Sequence, residues 1–384
     1  MPARLLFVSK PIGPPYQDGT KCLVRDLALN LKTVTPVVMT ARGAAPFAGS
    51  PVKADHVVSW PVYANPGTFQ PGLGQNLRAV WSLLSGADAD LSHFVFAPNA
   101  KSSMMGDWLK RARGVPALQT IASPPRRFEN PRRLIFGDIV VAQSSWTRTR
   151  LEQAFRESAV EAPRLEVIPP PLGQLSPKSQ VDQAEARRAL DIPPDVPLFV
   201  YPGDLETSGG ARAVKRLVAP LVESMPGAVV VFAYRAKTEQ APVIADDLRR
   251  TLDPGSVRVV GEVADVLALI ASATAVLFPV DDLWGKVDLP IVLLESMELG
   301  VPVIALDWGP LRDLEGVLKV PDTRERTLLT AALALAHDSP ERQRVIAAQR
   351  AGIARRHRVD MVCRAYERLY SDLLSARRAY SLER

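Results

Sequence analysis

The stretch KVDLPIVLLESMELGVPVIA (residues 286–305) joins a charged segment to an apolar run that carries Glu295, and a Gly-Val-Pro turn then leads into a second apolar run. This order predicts a loop, a helix that packs against a sheet, and the next buried strand. A buried carboxylate without a partner is unfavourable, so we expect Glu295 to project toward a ligand. The alternative is a Glu295 that accepts a hydrogen bond from a neighbouring backbone amide.

Short apolar runs recur along the whole chain and alternate with stretches of helical periodicity. In the first part of the chain they are LLFVS (5–9), PVVMT (36–40), HFVFA (93–97), PALQTIA (116–122), DIVVAQS (138–144) and LEVIPPP (165–171). In the second part they are PLFVYPG (197–203), AVVVFAY (228–234), VRVVGEV (257–263), AVLFPV (275–280), PVIALD (302–307) and VLKVP (317–321). Continuous apolar strands separated by helices are typical of a parallel sheet that is covered on both faces.

These two series predict an α/β protein with two Rossmann-like, doubly wound domains that face each other across a cleft. In such sheets, ligands bind outside the carboxyl ends of the strands. The Pro-rich break near residues 168–171 places the first domain at 1–170 and the second at 171–360. We expect a terminal helix over 361–384 to pack back on the first domain.

Length and composition agree with this organisation. The chain has 384 residues, which suits two domains of ordinary size, and 47% of the residues are hydrophobic. No apolar run approaches the roughly 20 residues that span a bilayer. The N-terminal MPARLLFVSKP lacks the features of a secretory signal, and Cys22 and Cys363 lack the spacing of a zinc site or a disulfide framework. We therefore expect a cytoplasmic protein.

Basic residues exceed acidic ones, and the formal net charge is +6. Arg126 and Arg127 form one arginine pair, and Arg132 and Arg133 form a second pair close by. Such pairs are suited to phosphate groups or to an anionic membrane surface, which would place the protein peripherally at the inner face of a membrane. The alternative is a solvated, arginine-rich surface. Nucleic acid is not an expected partner, because no aromatic and basic platform or helix-turn-helix pattern accompanies the charge.

Two glycine-rich loops follow predicted strands and precede predicted helices. Gly19 and Thr20 lie in the first of them, KPIGPPYQDGTKCLVRDL, where backbone N–H groups at a helix start could face an anion. The alternative is an ordinary turn. Gly203 opens the second loop, YPGDLETSGGARAVKRLV, whose glycines suit a phosphate cradle. The absence of a GK[ST] triplet excludes a Walker-type site.

Charged side chains follow two other strands of the second half. Arg235 and Lys237 could clamp a diphosphate at the end of AVVVFAY; a solvated helix start is the alternative reading. Asp281 and Asp282 follow LFPV, but adjacent carboxylates in an extended strand cannot both point at one ion, and we expect no metal. No Ser-His-Asp or Cys-His arrangement is evident, and His93 lies on a buried-looking strand. The sequence therefore favours chemistry carried out by a reactive donor that the protein positions.

Several segments, taken in order, resemble the GT-B glycosyltransferases, in particular the large retaining group called family 4. They are VVAQSSWTRTRLEQAF (140–155), VIPPPL (167–172), YPGDL (201–205), VRVVGEVADVLALIASATAVLFPV (257–280), LPIVLLESMELGVPVIA (289–305), and the tail segments at 325–351 and 365–370. The resemblance covers about 140–375 well, whereas residues 1–139 agree in layout more than in letters. It implies that the first domain holds the acceptor and the second the nucleotide sugar, and that a hexose is transferred with retention, without a metal or other cofactor.

The resemblance also assigns roles to individual residues. It makes Glu295 the acceptor of hydrogen bonds from the ribose hydroxyls of the donor, and it places Val263 beside the base. The remaining contacts to the sugar and the diphosphate would come from Gly19, Thr20, Gly203, Leu289 and Pro290. The acceptor cannot be read from the motifs, but the arginine pairs suggest that it is anionic or lipid-linked.

The chain departs from the family pattern at several positions. The first Glu of the ExxxxxxxE motif is replaced by Val287, which Lys286 and Asp288 flank. The Arg and Lys that hold the diphosphate correspond to Asp204 and Gly209, and the usual first-domain His corresponds to Ala122 or Ser123. We therefore predict that Lys286 replaces a missing cation and Asp288 the missing Glu, as the catalytic residues of a shifted site.

The same departures support a second hypothesis, in which the protein has lost catalysis and acts as a GT-B-like binding or scaffold protein. A nonhydrolysing sugar epimerase of the same architecture is a weaker hypothesis, because the carboxylate and His set that such chemistry needs is not identifiable.

Overall fold

The computed structural model describes residues 2–14, 16, 18–48, 52–64, 72–85, 88–261, 263, 265–336 and 339–382. The chain divides into two compact units. The first unit comprises Met1–Gln174, Trp284–Ile291 and Arg356–Arg384, and the second comprises Leu175–Leu283 and Val292–Arg355.

Each unit contains a parallel sheet. Within the described ranges, the sheet of the first unit has seven strands: β1 (Ala3–Ile12), β2 (Val34–Ala41), β3 (Val58–Tyr63), β4 (Leu91–Phe96), β5 (Ala117–Ile121), β6 (Ile139–Ala142) and β7 (Arg164–Val167). That of the second has six over the same ranges: β8 (Leu198–Tyr201), β9 (Val229–Ala233), β10 (Val257–Val260), β11 (Ala275–Phe278), β12 (Val303–Leu306) and β13 (Leu318–Val320).

Helices connect the strands and follow the second sheet. They are α1 (Gly19–Asn30), α2 (Leu73–Ser85), α3 (Ala100–Arg113), α4 (Ser145–Glu157), α5 (Gln180–Arg188), α6 (Gly210–Ser224), α7 (Gln240–Thr251), α8 (Val266–Ala271), α9 (Ile291–Glu298), α10 (Glu325–Ala336), α11 (Pro340–Arg356) and α12 (Val359–Leu382). None of the helices in the described part of the chain is both long enough and apolar enough to cross a membrane.

Both sheets reverse their strand order beside their first strand. The order in the first unit is β3-β2-β1-β4-β5-β6-β7, and that in the second is β10-β9-β8-β11-β12-β13. The loops that follow β1 and β8 therefore lie at the topological switch points, where doubly wound sheets bind ligands. The predicted α/β class, with a doubly wound parallel sheet in each half of the chain, is confirmed.

The central strands are apolar because they are covered on both faces. Leu5, Leu6 and Phe7 of β1 are fully buried, and so are all four residues of β8. A strand in this position has no solvent-facing side, so its sequence shows a continuous apolar run in place of an alternating pattern.

The helix α12 belongs to the core of the first unit. Tyr366 and Tyr370 are fully buried in it, and their hydroxyl groups contact polar side chains of β4 and β5. The Tyr370 hydroxyl lies 2.9 Å from His93 Nδ1, His93 Nε2 lies 2.7 Å from Thr120 Oγ1, and that oxygen lies 3.2 Å from the Tyr366 hydroxyl. Burial lowers the pKa of His93 to about 3, so this histidine is a neutral member of the core.

Candidate functional site

The loop between β1 and α1 is fixed by a helix cap. Asp18 Oδ1 accepts a hydrogen bond from the Thr20 backbone N–H (2.8 Å), and Asp18 Oδ2 accepts one from Lys10 Nζ (2.8 Å). A carboxylate cap of this kind satisfies an otherwise unpaired N–H at the helix start. Gly19 and Thr20, predicted to face an anion, thus have a fixed place at the N-terminus of α1, where the Thr20 N–H is bonded to Asp18.

Gly19 packs against the segment 284–291, which belongs to the same unit. A Cβ atom at Gly19 would lie 2.8 Å from Val287 Cγ1 and 2.9 Å from Val287 Cγ2. Such distances are too short for carbon atoms in contact, so the close approach requires glycine. The structure therefore brings together two regions that the sequence suggested separately, the Gly19–Thr20 turn and the segment around Lys286.

Asp288 is fully buried and binds two hydroxyl groups at the start of α4. Its Oδ2 accepts a hydrogen bond from Ser144 Oγ (2.8 Å), and its Oδ1 accepts one from Thr147 Oγ1 (2.9 Å). Leu289 and Pro290, which follow, are buried as well. The carboxylate predicted to replace the missing Glu of the motif therefore faces the interior of the first unit.

Lys286 is half-buried and follows a sharp turn. Gly285 has a φ of 68°, a left-handed conformation that favours glycine. The ring of the preceding Trp284 lies 4.0 Å from the guanidinium carbon of Arg126, in cation–π geometry. One member of the predicted arginine pairs thus contacts the segment that carries Lys286.

The glycine-rich loop of the second unit wraps around the ring of Tyr201. A Cβ atom at Gly203 would lie 2.4 Å from the Tyr201 ring, and one at Gly210 would lie 2.9 Å from the Tyr201 hydroxyl. That hydroxyl donates a hydrogen bond to the Asp204 carbonyl oxygen (2.7 Å). Burial, the largest cause, raises the pKa of Tyr201 well above its ordinary value. The side chain is therefore uncharged, and the loop packs around it.

Lys237 reaches the same loop from the end of β9. Its Nζ lies 3.3 Å from Asp204 Oδ2, and the side chains of Lys237 and Asp204 are 14% and 1% exposed. Asp204 Oδ1 accepts hydrogen bonds from the backbone N–H groups of Thr207 and Ser208. A cation therefore stands beside the position where the family pattern has Arg, although Asp204 itself is an acid. Arg235 is half-buried near the same strand end.

A second carboxylate occupies the N-terminus of α6. Asp281 Oδ1 accepts a hydrogen bond from the Gly209 backbone N–H (2.7 Å), where the partial positive charge of the helix favours an anion. The glycine loop predicted to cradle a phosphate thus holds an acidic side chain at this amide. Among the described residues, no group of three or more His, Cys, Asp and Glu side chains could hold a metal ion.

Glu295 stands out from its neighbours on α9. It is half-buried, whereas Leu293, Leu294, Ser296 and Met297 are fully buried. An apolar helix that leaves one carboxylate partly accessible is suited to present it to a ligand. Val263, predicted to lie beside the base, is half-buried two residues after Gly261; the Glu262 between them lies outside the described residues.

Sequence reasoning missed the partners of these acids. Nothing local in the sequence links Asp288 to Ser144 and Thr147, which are more than 140 positions away. The sequence indicates the pairing of Asp204 with Lys237 only in part, because it places each of the two residues after a predicted strand but does not link them.

The second half of the chain is similar in sequence to a known protein family. Residues 197–338 match the family model described as "Glycosyl transferases group 1". The matched range contains all the strands of the second sheet, β8 to β13. The match includes Asp204, Lys237 and Glu295. No curated protein sequence matches the chain.

Solved structures match nearly the whole chain at low sequence identity. Anabaena HepE in complex with UDP-glucose has 17% identity and a TM-score of 0.72, and the match covers 96% of this chain and 100% of that one. A glycosyltransferase from Rickettsia africae has 13% identity and a TM-score of 0.70, with 97% and 99% covered. Sucrose-phosphate synthase from Thermosynechococcus elongatus has 17% identity and a TM-score of 0.66, with 97% and 100% covered. At these identities the likeness concerns the fold.

Proposed function

We propose that the protein is a retaining glycosyltransferase of the family 4 type, which transfers a hexose from a nucleoside diphosphate sugar to an acceptor. The match of residues 197–338 to the group 1 glycosyltransferase model supports the reaction class. Binding of UDP-glucose by Anabaena HepE, a protein of the same fold, supports a nucleotide sugar as the donor. We propose neither a metal nor another cofactor.

The observation that carries the proposal is the ion pair between Lys237 and Asp204 inside the matched domain. Transfer from a nucleotide sugar leaves a diphosphate, and its negative charge must be neutralised as the bond to the sugar breaks. The sequence lacks the usual cations at 204 and 209, but Asp204 holds Lys237 at that place. An ammonium group has three N–H donors, so Lys237 can bind a phosphate oxygen while it stays bonded to Asp204.

The proposal gives the other residues the roles that the family resemblance implies for them. Glu295 accepts hydrogen bonds from the ribose, and Val263 lies beside the base. Arg235 supplies further positive charge to the diphosphate, together with backbone N–H groups near Gly203. Lys286 is the catalytic cation of this proposal. No protein nucleophile is required, because positioning and charge stabilisation lower the barrier.

The acceptor in this proposal is anionic or lipid-linked. Arg126, Arg127, Arg132 and Arg133 are all exposed, and they lie before and within the single helical turn Pro131–Arg133. Exposed arginines bind phosphate groups through paired N–H donors. We propose a cytoplasmic protein that can associate with the inner face of a membrane through this arginine surface.

Donor binding tests the proposal with a matched pair of lysine variants. Thermal unfolding of the wild-type protein is measured with UDP-, GDP- and ADP-sugars, and a ligand at a hundred times its Kd stabilises the fold by about 2.7 kcal/mol. Lys237→Ala should weaken donor binding about tenfold or more. Lys215→Ala removes a lysine that is also ion-paired, to Asp247 at 2.8 Å, and should leave donor affinity unchanged.

Two outcomes separate the hypotheses. If no nucleotide sugar stabilises the wild-type protein, the proposed donor class is wrong. If a nucleotide sugar binds but no sugar is hydrolysed or transferred, the protein is the catalytically inactive binding protein that the altered motif also suggests.

A further inference from the structure

Asp288 has the surroundings of an anchor rather than those of a group that touches the donor. Its relative exposure to solvent is 0%, and each carboxylate oxygen accepts a hydrogen bond from a hydroxyl group. We propose that Asp288, Ser144 and Thr147 form a clamp that positions Lys286 for the transfer reaction. This inference rests on the proposed function, and it makes Asp288 a positioning residue.

The clamp is built on the first turn of α4. Ser144 is the N-cap of this helix, and its Oγ accepts a hydrogen bond from the Thr147 backbone N–H (3.1 Å) while it donates to Asp288. Thr147 uses its own hydroxyl for the second oxygen of the carboxylate. Ser144 and Thr147 both have a relative exposure of 0%. All three side chains are therefore out of contact with water, where charge-assisted hydrogen bonds are strong.

The helix itself favours the negative charge at this point. The N-terminus of α4 carries a partial positive charge, and a buried carboxylate gains most from such a partner when water is excluded. Removal of one hydroxyl would take one hydrogen-bond donor away from a buried carboxylate, which is costly. Asp288 is thus held in one position by geometry and by charge.

The clamp restricts Lys286 because only Val287 separates it from Asp288. Val287 is 6% exposed and lies against Gly19 with no room for a Cβ atom between them. On the other side, Gly285 takes a left-handed turn directly before Lys286. Lys286 is therefore carried on a short segment that is fixed at both the Gly19 and the α4 contacts.

A threonine series tests the clamp with little change in shape. Thr147→Val removes the hydroxyl and keeps the volume, whereas Thr147→Ser keeps the hydroxyl. Ser179→Ala removes a capping hydroxyl from α5 in the second unit and serves as the control. Hydrogen–deuterium exchange of the peptide that covers 284–291 is measured in each full-length variant, together with kcat and KM for the donor that the wild-type protein uses.

We expect Thr147→Val to raise the exchange rate of this peptide about tenfold or more. A misplacement on the order of 1 Å can cost about a hundredfold in rate, so kcat should fall between about tenfold and a hundredfold. The donor KM should change less, because Lys286 acts on charge that develops in the transition state. Thr147→Ser should restore both exchange and kcat to within about twofold, and Ser179→Ala should match the wild type.

If Thr147→Val leaves the exchange rate of the peptide 284–291 unchanged, the proposed clamp is wrong. It is also wrong if the exchange rate rises but kcat stays at the wild-type value. A fall in kcat that Thr147→Ser does not restore would also count against it. If the wild-type protein transfers no sugar from any donor, the proposed function fails; the exchange measurement then decides separately whether the hydroxyl groups hold the segment.

Discussion

A single buried histidine, which stays neutral in the folded state, should make the first unit sensitive to mild acid. His93 is fully buried between Tyr370 and Thr120, and burial lowers its pKa from the ordinary 6.5 to about 3. In the unfolded chain the imidazole is solvated and its pKa returns to the ordinary value. Below pH 6.5 the unfolded chain therefore binds a proton that the folded chain does not bind, and the free energy of unfolding falls.

The size of the effect follows from the separation of the two pKa values. Each pH unit between them removes about 1.4 kcal/mol, so the loss between pH 6.5 and pH 5.0 is about 2 kcal/mol. The contribution of His93 is fully present above pH 6.5 and is lost progressively as the pH falls toward the pKa of the folded state. This loss is a large part of the stability of an ordinary domain.

Urea unfolding of the wild-type protein and of His93→Gln, followed by circular dichroism at pH 7.5 and pH 5.0, measures this contribution. Glutamine does not titrate, but its amide can bond to the same neighbours. The carboxylates that titrate in this range are common to both proteins, so the difference in pH dependence isolates His93. We expect the wild-type protein to lose about 2 kcal/mol more than the variant. Equal losses in both proteins would refute the assignment of His93 as a neutral core residue.

Two further contacts give predictions for stability. Gly19→Ala should lower the free energy of unfolding by about 1–3 kcal/mol, because the new Cβ atom would lie 2.8 Å from Val287 Cγ1. The same substitution in a Val287→Ala protein should lower it by less. If the two substitutions have additive effects on the free energy of unfolding, the steric explanation is wrong. Glu367→Ala should cost about 1 kcal/mol, because Glu367 Oε1 accepts hydrogen bonds from the backbone N–H groups of Lys32 and Thr33 (2.6 and 2.9 Å). Glu367→Gln keeps an acceptor oxygen, so urea unfolding should show that it loses less than half of the free energy of unfolding that Glu367→Ala loses.

The fold could be predicted from the sequence because its main signal is local. Strands such as β8 and β9 are buried on both faces, so each appears as a continuous apolar run, and the intervening helices have their own periodicity. The switch points after β1 and β8 follow from general rules of doubly wound sheets. These rules predict ligand-binding loops at Gly19 and Gly203 without any three-dimensional information.

The candidate site could be predicted only in part, because its partners come from distant positions. Asp281 lies 72 positions from the Gly209 amide that it binds, and no pattern in the sequence indicates this pairing. The spacing from Glu295 predicts that Asp288 replaces the missing Glu, but spacing cannot show that two hydroxyl groups of α4 bind this carboxylate. The roles of Lys286, Lys237 and Glu295 remain predictions that binding and kinetic data must test.

Donor affinity of two glutamate variants on α9 tests the central claim most directly. Glu295 is half-buried among fully buried neighbours, whereas Glu298 is exposed at the end of the same helix. Loss of a hydrogen bond to a charged group costs about 1.5–3 kcal/mol, which corresponds to a roughly tenfold to hundredfold rise in Kd. With the best donor among UDP-, GDP- and ADP-sugars, calorimetry should show this rise for Glu295→Ala and a wild-type Kd for Glu298→Ala. Equal, unaltered affinity in both variants would contradict a nucleotide-sugar site at Glu295.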